Sequence, residues 1–545
     1  MSTLKRGSIF LLGMAIWLSG AGAGFAADDY WTNAVDGDFS VGANWTDGTA
    51  PGNTDGANFN KNAGSPYTVT FDVAVTNTTF RVRKDQVAFN LNGLTYRALS
   101  NNASIGTSSG DNGWLSLSNG TVIITYAFNL GEASGATGTL VVANGPVIIQ
   151  TLGEVSGEPN WVHVGYAGYG RLIVTNGSVL AITNKSLFIG NYVASGEGHV
   201  VVSGSGSVLR APGLFVGHGT SSKTSTLEVL DGGFMDIFGT GNFGVYDQVI
   251  VDGTNSRLRS ASNCTWRGPG AGADVRVRNG GRFEFYNFGF TLGADNQLGR
   301  FEVTDGGSAY LSGSGGDGIM LGGYVGGPSG PGGFMTIGTN STVTCGFAKL
   351  LVWSNSTVTL NSGNLQVSAA DSDLRGTLSG SGMIGSTSTV RTINSTGRLV
   401  PGGSNSAGTL IVTNANLVFT NSAASTTNGM LFLEFSESAH DMVILPGISR
   451  SINLNRARVS YSLISGTSFR PLTPGFMDFL IATNITGAVF SDNMTNLLSA
   501  VTSPFVQYTY GIVTVGAADY GGLYSGYQAL RLTTSLSAGT VVSFH

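Results

Sequence analysis

Few side chains in this chain could do chemistry, and their spacing limits what they could do. Five histidines occur: His163, His199, His218, His440 and His545. None stands in an H-x-x-x-H pair or a Cys/His cluster, the spacings that enclose a bound metal. His440-Asp441 has the makings of an orienting couple. A hydrolase of that kind also needs a nucleophile on a G-x-S-x-G elbow, and none is placed beside it. Gly313-Ser314-Gly315-Gly316-Asp317-Gly318-Ile319 fits the core of the calcium-binding nonapeptide G-x-G-x-D-x-U. Those sites form between stacked copies, and the chain carries one copy. His163 and His218 flank glycines and are expected at strand ends facing solvent. The expected sets of catalytic residues, cofactor-binding residues and metal ligands are therefore empty.

The elements that would have to position any site are read from composition first. Apolar residues make up 41% of the 545, charged residues only 11%, and there are 83 glycines against 13 prolines. Many β-branched residues and few Glu/Lys/Ala runs point to strands rather than helices. The net charge of −5 is mild. No basic patch or interleaving of arginine with aromatics is evident, which argues against a nucleic-acid partner. Lys5 and Arg6 precede the apolar run Ile9 to Leu18, and Gly24-Phe25-Ala26 follows the small-x-small rule. Residues 1–26 read as a signal peptide cleaved after Ala26, because the run is shorter than the ~18–20 residues of a membrane span. The mature chain is expected to be exported, with no transmembrane segment after signal removal.

Arg171 to Gly198 shows how the rest is built. Leu172-Ile173-Val174, Val179 to Ile182 and Leu187-Phe188-Ile189 are short apolar segments separated by Asn176-Gly177 and by Asn184-Lys185-Ser186, and the pattern restarts at His199. Turns of the same kind recur at Asn119-Gly120, Asn144-Gly145, Ser205-Gly206, Asp231-Gly232, Asp252-Gly253, Asn279-Gly280 and Asp305-Gly306. They lie roughly 20 to 30 residues apart, the interval of a solenoid or array. Three short strands per unit, with drifting unit length, suit one coil of a parallel β-helix better than a four-stranded propeller blade. Asn-Gly is also a hairpin signal, so an antiparallel sandwich is the rival architecture. The expectation is an all-β chain: a right-handed parallel β-helix with a β-rich C-terminal cap. Its parts are 27–100, an N-terminal cap with the first strands; 101–375, the repeat helix; and 376–545, a C-terminal β region. Trp31 and Trp45 are expected to cover the open end of the first rung, the alternative being a carbohydrate-stacking platform. Cys264 and Cys345 lie about three repeats apart. Rungs ~4.8 Å apart would separate them too far for a disulfide, so two buried thiols are expected.

The repeat form L-x-V-x-x-G-x-L…L-x-I-G…G-x-G, over roughly Asn112 to Gly338, resembles the repeats of autotransporter (type V secretion) passengers and PEP-CTERM-associated proteins. The run Trp31…Asn44-Trp45…Pro51-Gly52…Asp55-Gly56-Ala57-Asn58-Phe59 is similar to the start of such surface proteins. Leu378-Ser379-Gly380-Ser381-Gly382, followed by Gly397-Arg398-Leu399-Val400-Pro401-Gly402, is similar to a signature late in passengers. The resemblance implies a secreted or cell-surface protein, adhesin-like and without catalytic activity. Its implied partners are a surface polysaccharide or outer-membrane components. Only about 30 residues follow Val515, too few for a membrane barrel, and no Pro-Glu-Pro anchor occurs. The expectation is a passenger without its own anchor.

Two other function classes compete with this one. Outward aromatics such as Trp161, Tyr166, Tyr169 and Tyr286 would serve a carbohydrate-binding protein. A glycan-cleaving β-helix would need two carboxyl groups about 5–9.5 Å apart. Asn53-Thr54-Asp55 and Gly217-His218-Gly219 match two polygalacturonase elements letter by letter. They lie more than 160 residues apart, and no R-I-K element occurs. Asn-x-Ser/Thr triplets at Asn44, Asn119, Asn340 and Asn355 read as turn residues.

Overall fold

Alternation sets each strand. In Tyr169–Val174, Leu172 and Val174 are buried while Arg171 is exposed, as a strand with one face on a core requires. The computed structural model describes most of residues 27–536. Residues 1–26, 537–545 and several internal segments lie outside that description, the longest being 153–160, 262–272, 420–428 and 488–505. The expected signal segment and Cys264 thus fall outside the described residues.

The strands stack in three ladders, one strand of each per coil. In the first, Asn112–Ser118 pairs with Thr137–Val142, which pairs in turn with Tyr169–Val174 and then Glu197–Ser203, all parallel. In the second, Gly120–Ile124, Val147–Thr151, Val179–Thr183 and Val208–Ala211 do the same. The third is shorter: Phe128–Leu130, Val162–Val164, Leu187–Ile189 and Leu214–Val216. The strands on either side of Asn176-Gly177 therefore pair with neighbouring coils and not with each other. This rules out the hairpin reading and makes the fold a parallel β-helix.

The turns use residues that tolerate left-handed backbone. Asn176 has φ 56° and Gly177 φ 69°, and Asn119, Asp231, Asn279, Asp305 and Asn340 adopt the same region. Buried serines just past several turns tie one coil to the next. Ser207 Oγ accepts the Gly177 N–H at 3.1 Å, Ser256 Oγ that of Gly232 at 3.0 Å, and Ser356 Oγ that of Gly333 at 2.9 Å. Each satisfies an amide that the corner would otherwise leave without a partner.

Inward Val, Leu, Ile and Phe side chains form one continuous core from Trp31 to Leu532. Full burial stabilises by roughly 1.5–3 kcal/mol per large side chain. Stacking starts at Asp28–Tyr30 on Gly56–Phe59 and continues across residue 376, where Thr357–Val367 pairs with Thr377–Gly385. At the far end the chain reverses. Gln528–Leu536 pairs antiparallel with both Gly475–Ala482 and Val506–Thr514, closing the solenoid with a β-rich cap. Cys345 is a free thiol inside the core, its pKa pushed up to about 12 by burial. No helix among the described residues is long and apolar enough to cross a membrane.

Candidate binding face

Of the described residues singled out for chemistry, the carboxylates Asp55 and Asp441 are spent on holding the backbone. Asp55 accepts the Gly52 N–H at 2.9 Å within its own turn. Gly217 sits at φ 71°, where the chain leaves the third ladder; His218 and His545 lie outside the described residues. Residues 313–317 of the calcium-like motif also lie outside them. Asp441 is buried and accepts the N–H groups of Gly408 (2.9 Å) and Glu434 (2.8 Å), which pins residues 402–408 against the coil. Burial pushes its carboxyl up to about 8. The His440 ring, its pKa lowered by burial, packs edge-on against Phe479 at 5.7 Å. On the first ladder His199 pairs with Glu197 at 3.0 Å and with Thr226 Oγ1 at 2.8 Å. Among the described residues, no cluster of three His, Cys, Asp or Glu side chains could hold a metal ion.

His163 corrects the expectation of a solvent-facing strand end. It is the middle residue of Val162–Val164 and points away from the coil, yet it is 2% exposed. Tyr166 meets it edge-on at 5.1 Å, Phe188 lies 5.6 Å away on the next rung, and Trp161 lies 5.9 Å away. Aromatic rings cover it, and desolvation lowers its pKa from 6.5 to about 3. Its neutral form is favoured by the fold. The stabilisation is fully present above the unfolded value near 6.5 and is lost as pH falls from there toward 3. The native rung should therefore lose about 1.4 kcal/mol for each pH unit below that value. Hydrogen exchange at the Val162 and Val164 amides, compared at pH 7.5 and 5.5, should show faster local opening at 5.5 after correction for intrinsic rates. His163→Phe should abolish the difference; equal opening free energies in the wild type would refute the assignment.

The four aromatics named from the sequence do not form one row. Trp161 stacks on Phe188 at 3.8 Å, and Phe188 on Phe215 at 4.4 Å, along the third ladder. Tyr169 lies beside His199 on the first. Tyr286 follows the second-ladder strand Arg282–Phe285 and packs on Tyr310 at 5.3 Å.

That second ladder carries the most developed outward surface, and sequence reading missed it. Arg210, Asp236, Arg259 and Glu284 stand in register on four successive rungs. Phe234, Arg257 and Arg282 form the parallel row two residues earlier. Asp236 accepts from Arg210 Nε at 3.1 Å and Arg259 Nε at 2.9 Å. Glu284 accepts from Arg257 Nε at 2.8 Å, and its other carboxylate oxygen makes an ion contact with Arg282. Arg257 and Arg259 lie 5.2 and 5.5 Å from the Phe234 ring centre, and Arg210 lies 5.3 Å from that of Phe238. The expected absence of arginine–aromatic interleaving is thus overturned. Arginines one or two to a strand become neighbours once strands stack ~4.8 Å apart.

On the first ladder an open depression of about 400 Å³ lies beside this surface in sequence, lined by Asp274, Arg276, Arg300, Glu302 and Phe334. Asp274 is gripped by Arg276 at 2.6 Å, and Glu302 stands opposite Arg276 in register. Both carboxylates face an arginine, an arrangement that balances charge between rungs.

No family model matches the chain, and no curated protein matches it. Among solved structures it is similar to the crystal structure of a TibC-catalysed, hyper-glycosylated TibA fragment. The identity is 15% and the TM-score 0.30, over 74% of this chain and 98% of that one. The parallel β-helix stands on the strand register itself.

Proposed function

We propose that the chain is exported and acts at or beyond the cell surface as an adhesin-like β-helical scaffold, with no catalytic step of its own. The observation that carries this reading is where the candidate reactive groups go. Asp55 and Asp441 accept backbone amides and His163 is sealed under aromatic rings, while the wall of the solenoid carries ordered polar surface. The resemblance of the repeats to autotransporter passengers and PEP-CTERM-associated proteins points the same way, and the apolar N-terminal run supplies the export signal. Two measurements test it. Protease added to intact producing cells should digest the chain, or the chain should be found in the medium; a protected cytoplasmic pool would refute export. Polysaccharides incubated overnight with the mature chain should show no new reducing or unsaturated ends. Cleavage would replace the scaffold with an enzyme. The second-ladder surface favours carbohydrate recognition as the specific task of the scaffold.

A further inference from the structure

The arginine surface on the second ladder has an unusual division of exposure. The carboxylate side chains of Asp236 and Glu284 are 2% and 0% exposed, whereas the arginines that grip them remain between 36% and 57% exposed. The acids are buried counter-ions that fix the guanidinium groups in place, and a ligand laid on the face meets the cations. Four arginines over two carboxylates leave a surplus of two positive charges. The chain as a whole carries −5, so the sign is inverted locally. Beside the arginines stand two exposed rings, Phe238 at 41% and Tyr286 at 36%.

We infer that this face binds an acidic polysaccharide, a uronate-type glycan running along the solenoid axis. The inference rests on the surface-scaffold reading for the place where the glycan is met, and on the face alone for its chemistry. Guanidinium forks suit carboxylates, which they can engage with two hydrogen bonds. Aromatic rings offer apolar faces to the C–H faces of sugars. Rungs recur every ~4.8 Å, about the length of one pyranose, so a glycan laid along the axis passes over Arg210, then Arg257 and Arg259, then Arg282, which stand on three of four successive rungs. A neutral glycan would leave the surplus of two positive charges uncompensated. Nucleic acid fits less well, because its binding draws on the neutralisation of many phosphates and this face has a surplus of only two charges.

The test uses the full mature chain in native gels cast with polygalacturonate, alginate or dextran, and with double-stranded DNA as competitor. Retardation by the two polyuronates, weakened by salt, and none by dextran is the expected result. Arg257→Gln/Arg282→Gln/Glu284→Gln removes two cations together with their buried partner, so no unpaired charge is left inside. It should weaken polyuronate binding at least tenfold while the circular dichroism melt is preserved. Phe238→Ala/Tyr286→Ala keeps every charge and should also weaken binding, by several-fold. Should the triple variant fail to fold, this second variant still decides, since its rings lie outside the ion pairs. Failure of polyuronates to bind, equal binding of dextran, unchanged binding in the ring variant, or displacement by DNA at lower concentration would each overturn the inference. Surface display, scored by protease on intact cells, would be untouched by any of those results. An intracellular chain would instead remove the scaffold reading itself.

Discussion

Gly198→Val is expected to cost more than about 4 kcal/mol and to split the solenoid into two separately melting parts. Gly113, Gly138, Gly170 and Gly198 occupy one column of the first ladder, opposite one another in register. There the start of each first-ladder strand runs directly against the turn that leaves the third ladder. A Cβ on Gly198 would stand 2.1 Å from the Val164 carbonyl oxygen and 2.2 Å from the Gly190 nitrogen. Both are backbone atoms and cannot swing aside, so the coil itself must open. Coils contact only their neighbours, and a solenoid's stability is close to a sum of coil and interface terms. Opening one interface therefore uncouples what lies on either side. Hydrogen exchange read by peptide should show protection lost across 187–230 while the strands near Phe89 and Leu360 keep theirs. The control is Gly177→Asn. Gly177 also has a positive φ, but its Cβ would meet only Ser205 O at 3.7 Å, and asparagine accepts that backbone region. It should move the urea midpoint by no more than a few tenths of a molar. A Gly198→Val chain that unfolds at the wild-type midpoint would disprove the close-packing account.

These two glycines mark what the sequence could and could not convey. Asn176-Gly177 is legible as a turn because its backbone need is local. The requirement at Gly198 comes from Val164, one coil back, and from Gly190, where the chain leaves the third ladder, and needs the register to be seen. Short apolar segments such as Leu172-Ile173-Val174, set between recurrent turns, identified the three-strand coil. They could not report what covers the outside. His163 flanks a repeat glycine and is expected at a solvent-facing strand end, yet Trp161, Tyr166 and Phe188 bury it. The arginine surface was hidden for the same reason. Arg210, Asp236, Arg259 and Glu284 are separated by a full coil of sequence at each step, and only stacking makes them neighbours. Aligning the repeats on their glycines before scoring charge would have found the row.

The largest effect at the end of the solenoid is expected from Trp31→Ala/Trp45→Ala. Both rings are buried, and they meet edge-on at 5.2 Å between ring centres. Trp45 packs on Phe39 at 4.9 Å and donates its indole N–H to the Phe39 carbonyl at 2.8 Å. Phe39 stacks on Phe71 at 4.9 Å, and Phe71 meets Phe89 at 5.3 Å, so the tryptophans head an aromatic column that runs into the following coils. Their burial leaves no exposed ring face for a sugar. Truncating a buried Trp typically costs about 3–5 kcal/mol, and two rings in contact do not add simply. The double variant should lose exchange protection at Tyr67–Thr70 while the Arg282–Phe285 rung keeps it, because the damage is confined to neighbouring coils. It should also uncover the edge of the first rung, a template for pairing with a second chain. Light scattering during size-exclusion chromatography should then show mass rising with concentration for the variant beyond any such rise in the wild type. Loss of N-terminal protection without added association would mean that the edge is guarded by something other than the tryptophans. Unchanged protection would mean that the aromatic column does not hold the end of the solenoid.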